Sequence, residues 1–335
     1  MSSMRRVAEL AGVSAATVSR VLNNHPSVRP AVRQRVLEVA NQSRYVATVG
    51  KRSVGNIALL YTGPMSLGSP YDMALMEGIG QRLDDFGFDL MVLSANRSRQ
   101  PEESLSQMFI RKGVRGALIR TTTGTREACK QIAIEGFPAV AIGERFEDDE
   151  RLACVYADSI GSSAEGVEHL LGLGHRRVAV SINVEDDSDH ADRVEGYRRA
   201  LTAAGIEIDD RLILRTPANV AGGGQLLRRI LAMGERPTAI FVADPMVAIG
   251  LINEAHARGV RVPEDLSVVG FDDLDTRHLA HPAVTSVCQD ARAIGATATQ
   301  LLRQIMEAQG TVVPSHQVLS TWFEVHGSTG PVKSR

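Results

Sequence analysis

The sequence predicts a small all-α head built on a helix-turn-helix, joined by a short linker to a larger two-lobed α/β body. Three observations predict this fold class. Residues 1–52 hold nine Lys or Arg against two Glu, a net charge of +7, whereas the whole chain of 335 residues carries −2. Two short amphipathic segments flank a glycine-containing turn near the N-terminus. From residue 57 onward, short apolar runs alternate with amphipathic helical segments, which is typical of parallel sheets with crossover helices.

Length and composition indicate a globular chain of more than one domain. The chain is too long for one compact core, and its hydrophobic content of 44% is ordinary. No run approaches the ~20 apolar residues of a membrane span, and the first residues lack the apolar core of a signal peptide, so we expect a cytoplasmic protein without a membrane partner. Cys129, Cys154 and Cys288 are odd in number and far apart, which predicts small core residues rather than disulfides or a zinc site.

Three helices are predicted in the head, and together they bury one small core. The first covers residues 5–11, with Val7, Leu10 and Ala11 on its inward face, and Gly12 ends it. The second follows directly, and the short glycine-containing turn between them makes a helix-turn-helix. The third covers residues 30–43, with Pro30 in its first turn.

The second helix points its apolar residues inward and leaves a small, hydroxylic outer face. Val18, Val21 and Leu22 occupy the inward face. The small outward side chains allow the helix to enter the major groove of DNA, where Arg20 can bind guanine through two hydrogen bonds and Ser or Thr can hold phosphates. Ser14 is either a helix cap alone or a cap that also contacts phosphate, and the alternative for Arg20 is an ordinary surface arginine.

The body is predicted to hold two α/β lobes, because its nine or ten candidate strands exceed one comfortable sheet. Ligands of such folds bind beyond the carboxyl ends of the strands and, in a two-lobed body, between the lobes. Gly222 to Gly224 are interpreted as a loop before a helix, and His175 as part of a turn into a strand. The chain has no G-x-S-x-G, H-E-x-x-H or Walker pattern, so we expect no catalytic residue, metal or cofactor.

The segment VAELAGVSAATVSRVLNN, followed by Val28, Arg33, Val36 and Tyr45, resembles the DNA-binding domain of the LacI/GalR (lactose and galactose repressor) family almost residue for residue. The resemblance implies a ligand-responsive transcriptional regulator that acts as a repressor. It places base-reading positions at Ala15, Ala16 and Arg20. It places contacts with phosphates or base edges at Ser14, Thr17, Ser19 and Asn23.

The body resembles the effector domain of the same family, which is similar to periplasmic sugar-binding proteins of type I. The segments that carry this resemblance are VEHLLGLGHRRVAV, PTAIFVAD, VRVPEDLSVVGFDD and HPAVTSVCQD. The expected domains are a head at residues 1–46, a linker at 47–55 and an effector-binding and dimerisation domain at 56–331. Lobe one would comprise residues 56–158 and 288–319, and lobe two residues 159–287 and 320–331.

The resemblance assigns four effector-binding candidates to lobe two. Arg193 matches the family's ligand-binding arginine and Asp272 its ligand-binding aspartate, a pair that suits the hydroxyls of a sugar, with structural ion pairs as the alternative. Asp187 and Asp189 lie in a segment that supplies ligand contacts in the family, or else form a solvated acidic loop. A fifth candidate, Asp244, stands where most members have asparagine.

Lobe one supplies Tyr71, Arg120 and Thr121. Tyr71 matches an aromatic position that can stack on a sugar face, and core packing is its alternative. Arg120 and Thr121 end a predicted strand, where a ligand cleft should open. An arginine is not typical there, so Arg120 together with Arg193 raises the hypothesis of a carboxylated effector, a sugar acid. An acidic residue of the family is replaced by Gly143, and Glu144 next to it is a candidate substitute.

The linker departs from the family pattern. Members usually continue after the tyrosine with a hinge helix that wedges leucines into the minor groove. Here eleven residues separate Tyr45 from Ile57, without the usual proline, asparagine or leucine. We expect an extended or irregular tether rather than a helix over residues 46–53, with Lys51 and Arg52 supplying charge to phosphates or the minor groove.

Together these features favour a regulator in the cytoplasm, associated with the nucleoid, that binds double-stranded operator DNA as a homodimer. A sugar or sugar acid would be its small-molecule effector. A periplasmic solute carrier shares the body but requires a signal peptide and has no such head. A sugar-sensing interaction protein whose head no longer binds specific DNA remains the alternative.

Overall fold

The computed structural model describes residues 4–23, 25, 27–43, 55–146, 151–273, 275–308 and 315–333. The chain divides into two compact units. Unit one comprises Met1–Met65, Met76–Tyr156 and Ile294–Gln317, and unit two comprises Ser66–Leu75, Ala157–Ala293 and Val318–Arg335. Within the described ranges, we find no helix that combines the length and apolar character of a membrane span.

The head of unit one is a bundle of three helices, α1 (Met4–Leu10), α2 (Ala15–Leu22) and α3 (Pro30–Gln42). Its core consists of side chains that are completely buried, among them Val7, Val18, Val21 and Val36. Gly12 has a φ of +63°, a left-handed conformation that glycine adopts without steric strain, and it ends α1. The helical periodicity of the sequence therefore predicted all three helices.

Leu10 is the exception in the head, because 51% of it is exposed although the sequence analysis placed it on the inward face. The buried residues around it are Val7, Ala8 and Ala11. At 3.6 residues per turn, Leu10 lies about 200° around the helix from Ala8, on the solvent side. The inward expectation for Leu10 is therefore wrong, and Ala8 takes its place.

Unit one also holds a six-stranded sheet in the order β11-β5-β4-β3-β1-β2. The strands are β1 (Gly55–Tyr61), β2 (Phe88–Ser94), β3 (Val114–Arg120), β4 (Ala139–Ile142), β5 (Ala153–Asp158) and β11 (His316–Ser320). The helices that accompany these strands along the chain are α4 (Pro70–Phe86), α5 (Ala95–Ser98), α6 (Leu105–Arg111), α7 (Arg126–Ile134) and α12 (Ala291–Glu307). From β2 to β5 the neighbouring strands run parallel, so their carboxyl ends share one edge of the sheet.

Unit two is built on a second six-stranded sheet in the order β12-β10-β9-β8-β6-β7. Its strands are β6 (Val178–Asn183), β7 (Ile213–Thr216), β8 (Ala239–Val242), β9 (Ser267–Asp272), β10 (Thr285–Cys288) and β12 (Trp322–Glu324). Its helices are α8 (Ile160–Gly172), α9 (Ser188–Ala203), α10 (Val220–Leu231) and α11 (Pro245–Ala257). All neighbours pair in parallel except β12, which lies antiparallel to β10 at the edge.

The described part of the chain contains twelve strands, which is more than the nine or ten expected. The strands β1 to β9 account for the buried apolar runs that the sequence pattern predicts. The additional strands, β10, β11 and β12, have three to five residues each. No residue of the edge strands β11 and β12 is fully buried, so these strands lack the apolar run that marks a buried parallel strand.

Gly222 to Gly224 lie inside α10, which corrects their interpretation as a loop. A Cβ atom on Gly223 would lie 2.2 Å from the carbonyl oxygen of Val247 in α11, and one on Gly250 would lie 2.1 Å from the carbonyl oxygen of Val220. The backbones of the two helices therefore pack directly against each other. Glycine is required for this close approach, and tertiary packing overrides its poor helix propensity.

His175 is a structural residue of unit two. It is 2% exposed, and its Nδ1 lies 2.8 Å from the hydroxyl of Thr238. Its Nε2 lies 3.1 Å from the hydroxyl of Ser267 and 3.0 Å from the carbonyl oxygen of Gly330. Burial lowers the pKa of His175, so the neutral ring is held by hydrogen bonds between separate segments.

The three cysteines are free and buried, as the sequence predicted for small core residues. Burial raises the pKa of Cys129 to about 11 and the pKa of Cys288 to about 12. Both thiols are therefore protonated at neutral pH and poor nucleophiles.

We predict that Gly250→Ala destabilises the protein by roughly 1–3 kcal/mol, the usual effect of overpacking, despite the better helix propensity of alanine. Equilibrium urea unfolding measures this change. Gly161→Ala is the matched control, because Gly161 is an exposed residue of α8 whose added Cβ would have no neighbour within 4 Å. Equal stability of the two variants would contradict the close packing of α10 on α11.

Candidate functional site

The outer face of α2 presents the residues that the sequence assigned to DNA. Ser14 caps the helix, since its hydroxyl oxygen accepts the backbone N–H of Thr17 at 3.1 Å. The hydroxyls of Ser14 and Thr17 are also 2.9 Å apart. Asn23 donates its side-chain amide to the carbonyl oxygen of Ser19 at 2.9 Å. The cap at Ser14 is thus established, and its contact with phosphate stays a prediction.

The accessibility of this face agrees with its predicted use. Four of the seven candidates in the head are exposed and three are partly exposed. The exposed ones are Ser14, Ala16, Arg20 and Asn23, and the partly exposed ones are Ala15, Thr17 and Ser19. The helix therefore offers small and hydroxylic side chains and one cation, while Val18 and Val21 anchor it to the head. Lys51, Arg52 and the expected tether at residues 46–53 lie outside the described residues.

In unit two, Arg193 is the centre of a polar cluster at the carboxyl ends of the strands. The residue is 6% exposed, and Nη1 donates a hydrogen bond of 2.6 Å to the carbonyl oxygen of Ala243, directly after β8. Its guanidinium carbon lies 3.6 Å from the centre of the Phe271 ring in β9. A buried cation stacked on an aromatic face gains electrostatic stabilisation from the ring. The cluster joins α9, β8 and β9.

Asp187 and Asp189 belong to the start of α9, which corrects their alternative reading as a solvated acidic loop. Asp187 is the N-cap, because its Oδ1 accepts the backbone N–H of His190 at 2.7 Å, and Asp189 lies in the first helical turn. The Nδ1 atom of His190 also lies 2.9 Å and 3.0 Å from the two carboxylate oxygens of Asp187. The helix begins at Ser188, directly after this cap.

The environment of Asp187 favours its ionised form. Burial opposes ionisation, but the charge of His190, its hydrogen bonds and the charge of Arg193 outweigh that effect and lower the pKa of Asp187. An ionised carboxylate at the N-terminus of α9 also interacts favourably with the helix dipole. Asp187 therefore serves as an anionic support for both His190 and Arg193.

Asp272 is engaged in a structural ion pair. It is 2% exposed, and its Oδ2 accepts a hydrogen bond of 2.6 Å from Nη1 of Arg277, while its other oxygen accepts the hydroxyl of Thr276. Arg277 continues the network by donating from Nε to Glu324 at 2.9 Å. The structure therefore favours the ion-pair interpretation of Asp272, with Arg277 rather than Arg193 as its partner.

Asp273 is the residue of this cluster that the sequence analysis missed. It is 7% exposed, and it accepts the side-chain amide of Gln289, which follows β10. Burial raises the pKa of Asp273 to about 6, the carboxylates of Asp244 and Asp272 add to this increase, and Arg193 and Gln289 oppose it. The available sequence signal was the pair of adjacent aspartates at the end of β9. Successive residues of a strand point to opposite faces, so two such carboxylates can have different partners.

Asp244 is the N-cap of α11. Its Oδ1 accepts the backbone N–H groups of Met246 at 2.9 Å and Val247 at 3.1 Å, and Pro245 occupies the first turn. Asp and Asn are equally good caps, which explains why an aspartate can stand at this position. Its charge nevertheless acts on the cluster by raising the pKa of Asp273.

At the carboxyl edge of the sheet in unit one, the hydroxyl of Thr121 belongs to a cluster of threonines. It lies 3.2 Å from the hydroxyl of Thr62 and 2.9 Å from that of Thr125. Arg120 ends β3, and its Nη1 lies 3.4 Å from the carbonyl oxygen of Ile142. Both candidates therefore lie at a strand end, as the sequence predicted.

Two further residues have mainly structural surroundings. Glu144 is buried and forms an ion pair of 2.7 Å with Arg126, so it is not available to replace the acidic residue missing at Gly143. Tyr71 lies in α4 and is 9% exposed. This burial favours the core-packing interpretation of Tyr71 over the stacking one.

A cavity of about 160 Å³ opens over the carboxyl ends of β9 and β10. Its lining is strongly charged and includes one exposed aromatic ring, that of Trp322. The polar residues of this lining are Asp272, Asp273, Asp275, Arg277, Gln289, Asp290 and Arg292. Among the described residues, no group of three or more His, Cys, Asp or Glu is arranged to hold a metal ion.

Comparison with known proteins relates both parts of the chain to one family. Residues 3–47 match bacterial regulatory proteins of the lacI family, and residues 167–329 match a periplasmic binding protein-like domain. Catabolite control protein A of Priestia megaterium is 30% identical over 306 residues, which cover 90% of this chain and 92% of the relative. The chain belongs to the LacI family. The resemblance, the fold class and the DNA-binding head stated from the sequence are thereby confirmed.

Other LacI-family members match over nearly the whole chain. The transcriptional regulator CelR of Thermobifida fusca is 30% identical over 334 residues, covering 97% of this chain and 98% of the relative. A solved CelR–cellobiose complex has a TM-score of 0.72 and 29% identity, covering 98% of this chain and 100% of that one. A LacI family regulator from Enterococcus faecium with bound ribose has a TM-score of 0.72 and 26% identity, covering 83% and 100%.

We predict that Asp273 makes this LacI-family regulator less stable as the pH rises from about 4 to about 6. The pKa of Asp273 is about 6 in the folded protein, whereas the usual value is 3.8. Between these two pH values the unfolded chain loses the proton of Asp273 while the folded protein keeps it, so the free energy of unfolding falls as the pH rises. A difference of two units corresponds to about 3 kcal/mol. Asp273→Asn mimics the protonated form, and its unfolding free energy relative to the native protein should rise by that amount between pH 4 and pH 7.

Urea unfolding at both pH values measures this difference. Asp290→Asn is the control for the removal of one negative charge, because Asp290 is exposed and caps α12, a role that asparagine fills equally well. The same pH-dependent gain in both variants would show that burial of Asp273 is not its cause.

Proposed function

We propose that this LacI-family regulator represses transcription by binding a two-fold symmetric operator as a homodimer, and that a neutral carbohydrate is its effector. The accessible outer face of α2 carries the first part of the proposal, since Arg20 and its small neighbours face solvent opposite a fully buried anchor. The net charge of +7 over residues 1–52 supplies attraction to the phosphate backbone. Two heads on a two-fold axis would read the two half-sites.

The charges around Arg193 support a neutral effector rather than a sugar acid. The carboxylates of Asp187 and Asp273 both interact electrostatically with Arg193, and Asp244 and Asp272 lie close enough to act on Asp273. A carboxylated ligand would add a further negative charge to this acidic surrounding, whereas hydroxyl groups can donate to carboxylates and accept from the guanidinium. CelR has been solved with cellobiose and the Enterococcus faecium regulator with ribose, which are both neutral sugars.

Selection of bound sequences from a random DNA pool tests the DNA-binding part. We expect enrichment of a pseudo-palindrome, and we expect Arg20→Ala to lose discrimination at one base pair of each half-site, by roughly 1–3 kcal/mol. Arg35→Ala, at an exposed position of α3, is the control and should leave the selected sequence unchanged. If no symmetric sequence is enriched, the alternative of an interaction protein without specific DNA binding is favoured.

A thermal-shift assay with cellobiose, ribose and glucuronate tests the effector part. At a ligand concentration 100 times its Kd, a one-site ligand stabilises the protein by about 2.7 kcal/mol, which raises the Tm of a domain of this size by roughly 5–10 °C. We expect such a shift with at least one of the two neutral sugars and none with glucuronate. A shift with glucuronate alone would support the sugar-acid hypothesis that Arg120 and Arg193 raised.

A further inference from the structure

The pair Asp187–His190 holds an imidazole ring in a defined state at the start of α9. Asp187 accepts the backbone N–H of His190 and also contacts Nδ1 of its ring, at 2.9 Å and 3.0 Å. An ionised carboxylate can only accept hydrogen bonds, so Nδ1 must carry the hydrogen. When the ring is neutral, its Nε2 atom is therefore a hydrogen-bond acceptor, and the contacts of Nδ1 with the carboxylate fix the orientation of the ring.

Two polar atoms on this face of α9 are buried without a hydrogen-bond partner. They are Nε2 of His190 and Nε of Arg193. The side chain of His190 is 12% exposed and Arg193 is 6% exposed. Most buried polar side-chain atoms of proteins have a partner, so the occurrence of two such atoms three residues apart on one helix requires an explanation.

The two atoms are complementary in chemistry and belong to residues on neighbouring turns of α9. His190 and Arg193 are three residues apart on one helix, a separation that places side chains side by side on its surface. Nε of arginine is always a donor, whereas Nε2 of the neutral, Asp187-bound imidazole is an acceptor. The hydrogen bond of Arg193 to Ala243 and its stacking on Phe271 prevent it from turning away. One donor and one acceptor thus stand three residues apart on α9, each on a side chain that is held by other contacts.

We propose that His190 is a specificity-determining residue of the effector site, which accepts a hydrogen bond from one hydroxyl of the effector while Arg193 donates from Nε to a neighbouring hydroxyl oxygen. The two residues then recognise a diol of a carbohydrate or polyol. A carboxylate fits less well, because its oxygens can only accept and would face the lone pair of Nε2. This inference rests on the proposed effector function and adds to it the group that is recognised.

Isothermal titration calorimetry of the full chain with cellobiose and with ribose tests the inference. His190→Ala should weaken binding of the sugar by about threefold to tenfold, the effect of one lost hydrogen bond. His190→Gln should retain most of the affinity, because its side-chain carbonyl can accept in place of Nε2. His256→Ala is the matched control, an exposed histidine on α11 of the same unit, and should bind as the native protein does. Thermal unfolding of each variant shows whether the fold is retained.

Deoxy analogues of the sugar that binds separate a direct contact from an indirect one. If His190 accepts from one hydroxyl, one monodeoxy analogue loses affinity for the native protein but loses little further affinity for His190→Ala. Equal losses for every analogue in both proteins, or unchanged binding by His190→Ala, would overturn the inference and leave the proposed effector function intact. Failure of the native protein to bind either sugar would overturn the effector function and the inference with it.

Discussion

The burial of Arg193 is the constraint around which the functional face of unit two is organised. A guanidinium removed from water loses its hydration and must be compensated by hydrogen bonds and opposite charge. The chain supplies this compensation from separate segments: the carbonyl oxygen of Ala243 after β8, the ring of Phe271 in β9, and the carboxylates of Asp187 and Asp273. The parallel sheet makes this possible, because it brings the ends of distant strands to one edge. The positive charge of Arg193 is therefore already balanced by groups of the protein itself.

The parts of the structure that the sequence predicted well are those with local causes. Helical periodicity identified Val18 and Val21 as the buried face of α2, and the side chains left over were the accessible ones. The cap at Ser14 and the positive φ of Gly12 follow from residue chemistry within a few positions. The structure of the head could be predicted from the sequence because it follows from periodicity and capping within a few positions.

The parts that could not be predicted depend on contacts between distant segments. Glycine is required at position 223 because α11 passes so close that a Cβ would collide with the backbone of Val247, and the local sequence pattern does not show this contact. Asp272 and Asp273 are adjacent and of the same residue type, but their surroundings differ. Asp272 is paired with Arg277, whereas Asp273 accepts a hydrogen bond from Gln289 and has a pKa raised to about 6. A motif can locate such a doublet at a strand end, but only the fold decides which carboxylate meets which partner. The surroundings of the effector candidates therefore depend on tertiary contacts, whereas those of the DNA-binding candidates depend mainly on one helix.

Ligand recognition and regulation at the proposed effector site around His190 and Arg193 both depend on the free energy that the ligand gains there. An effector changes DNA binding only to the extent that it binds one state of the regulator more tightly than the other. A buried polar atom without a partner raises the free energy of the folded chain by roughly 1–3 kcal/mol, and Nε2 of His190 and Nε of Arg193 are two such atoms. A diol that satisfies both would gain two hydrogen bonds of roughly 0.5–1.5 kcal/mol each, which is comparable with the coupling free energies of about 1–3 kcal/mol that are typical of allosteric proteins. Under the proposed effector function, a state in which the ligand reaches both atoms is stabilised relative to one in which it does not, so the same two atoms would contribute to selecting the effector and to the switch.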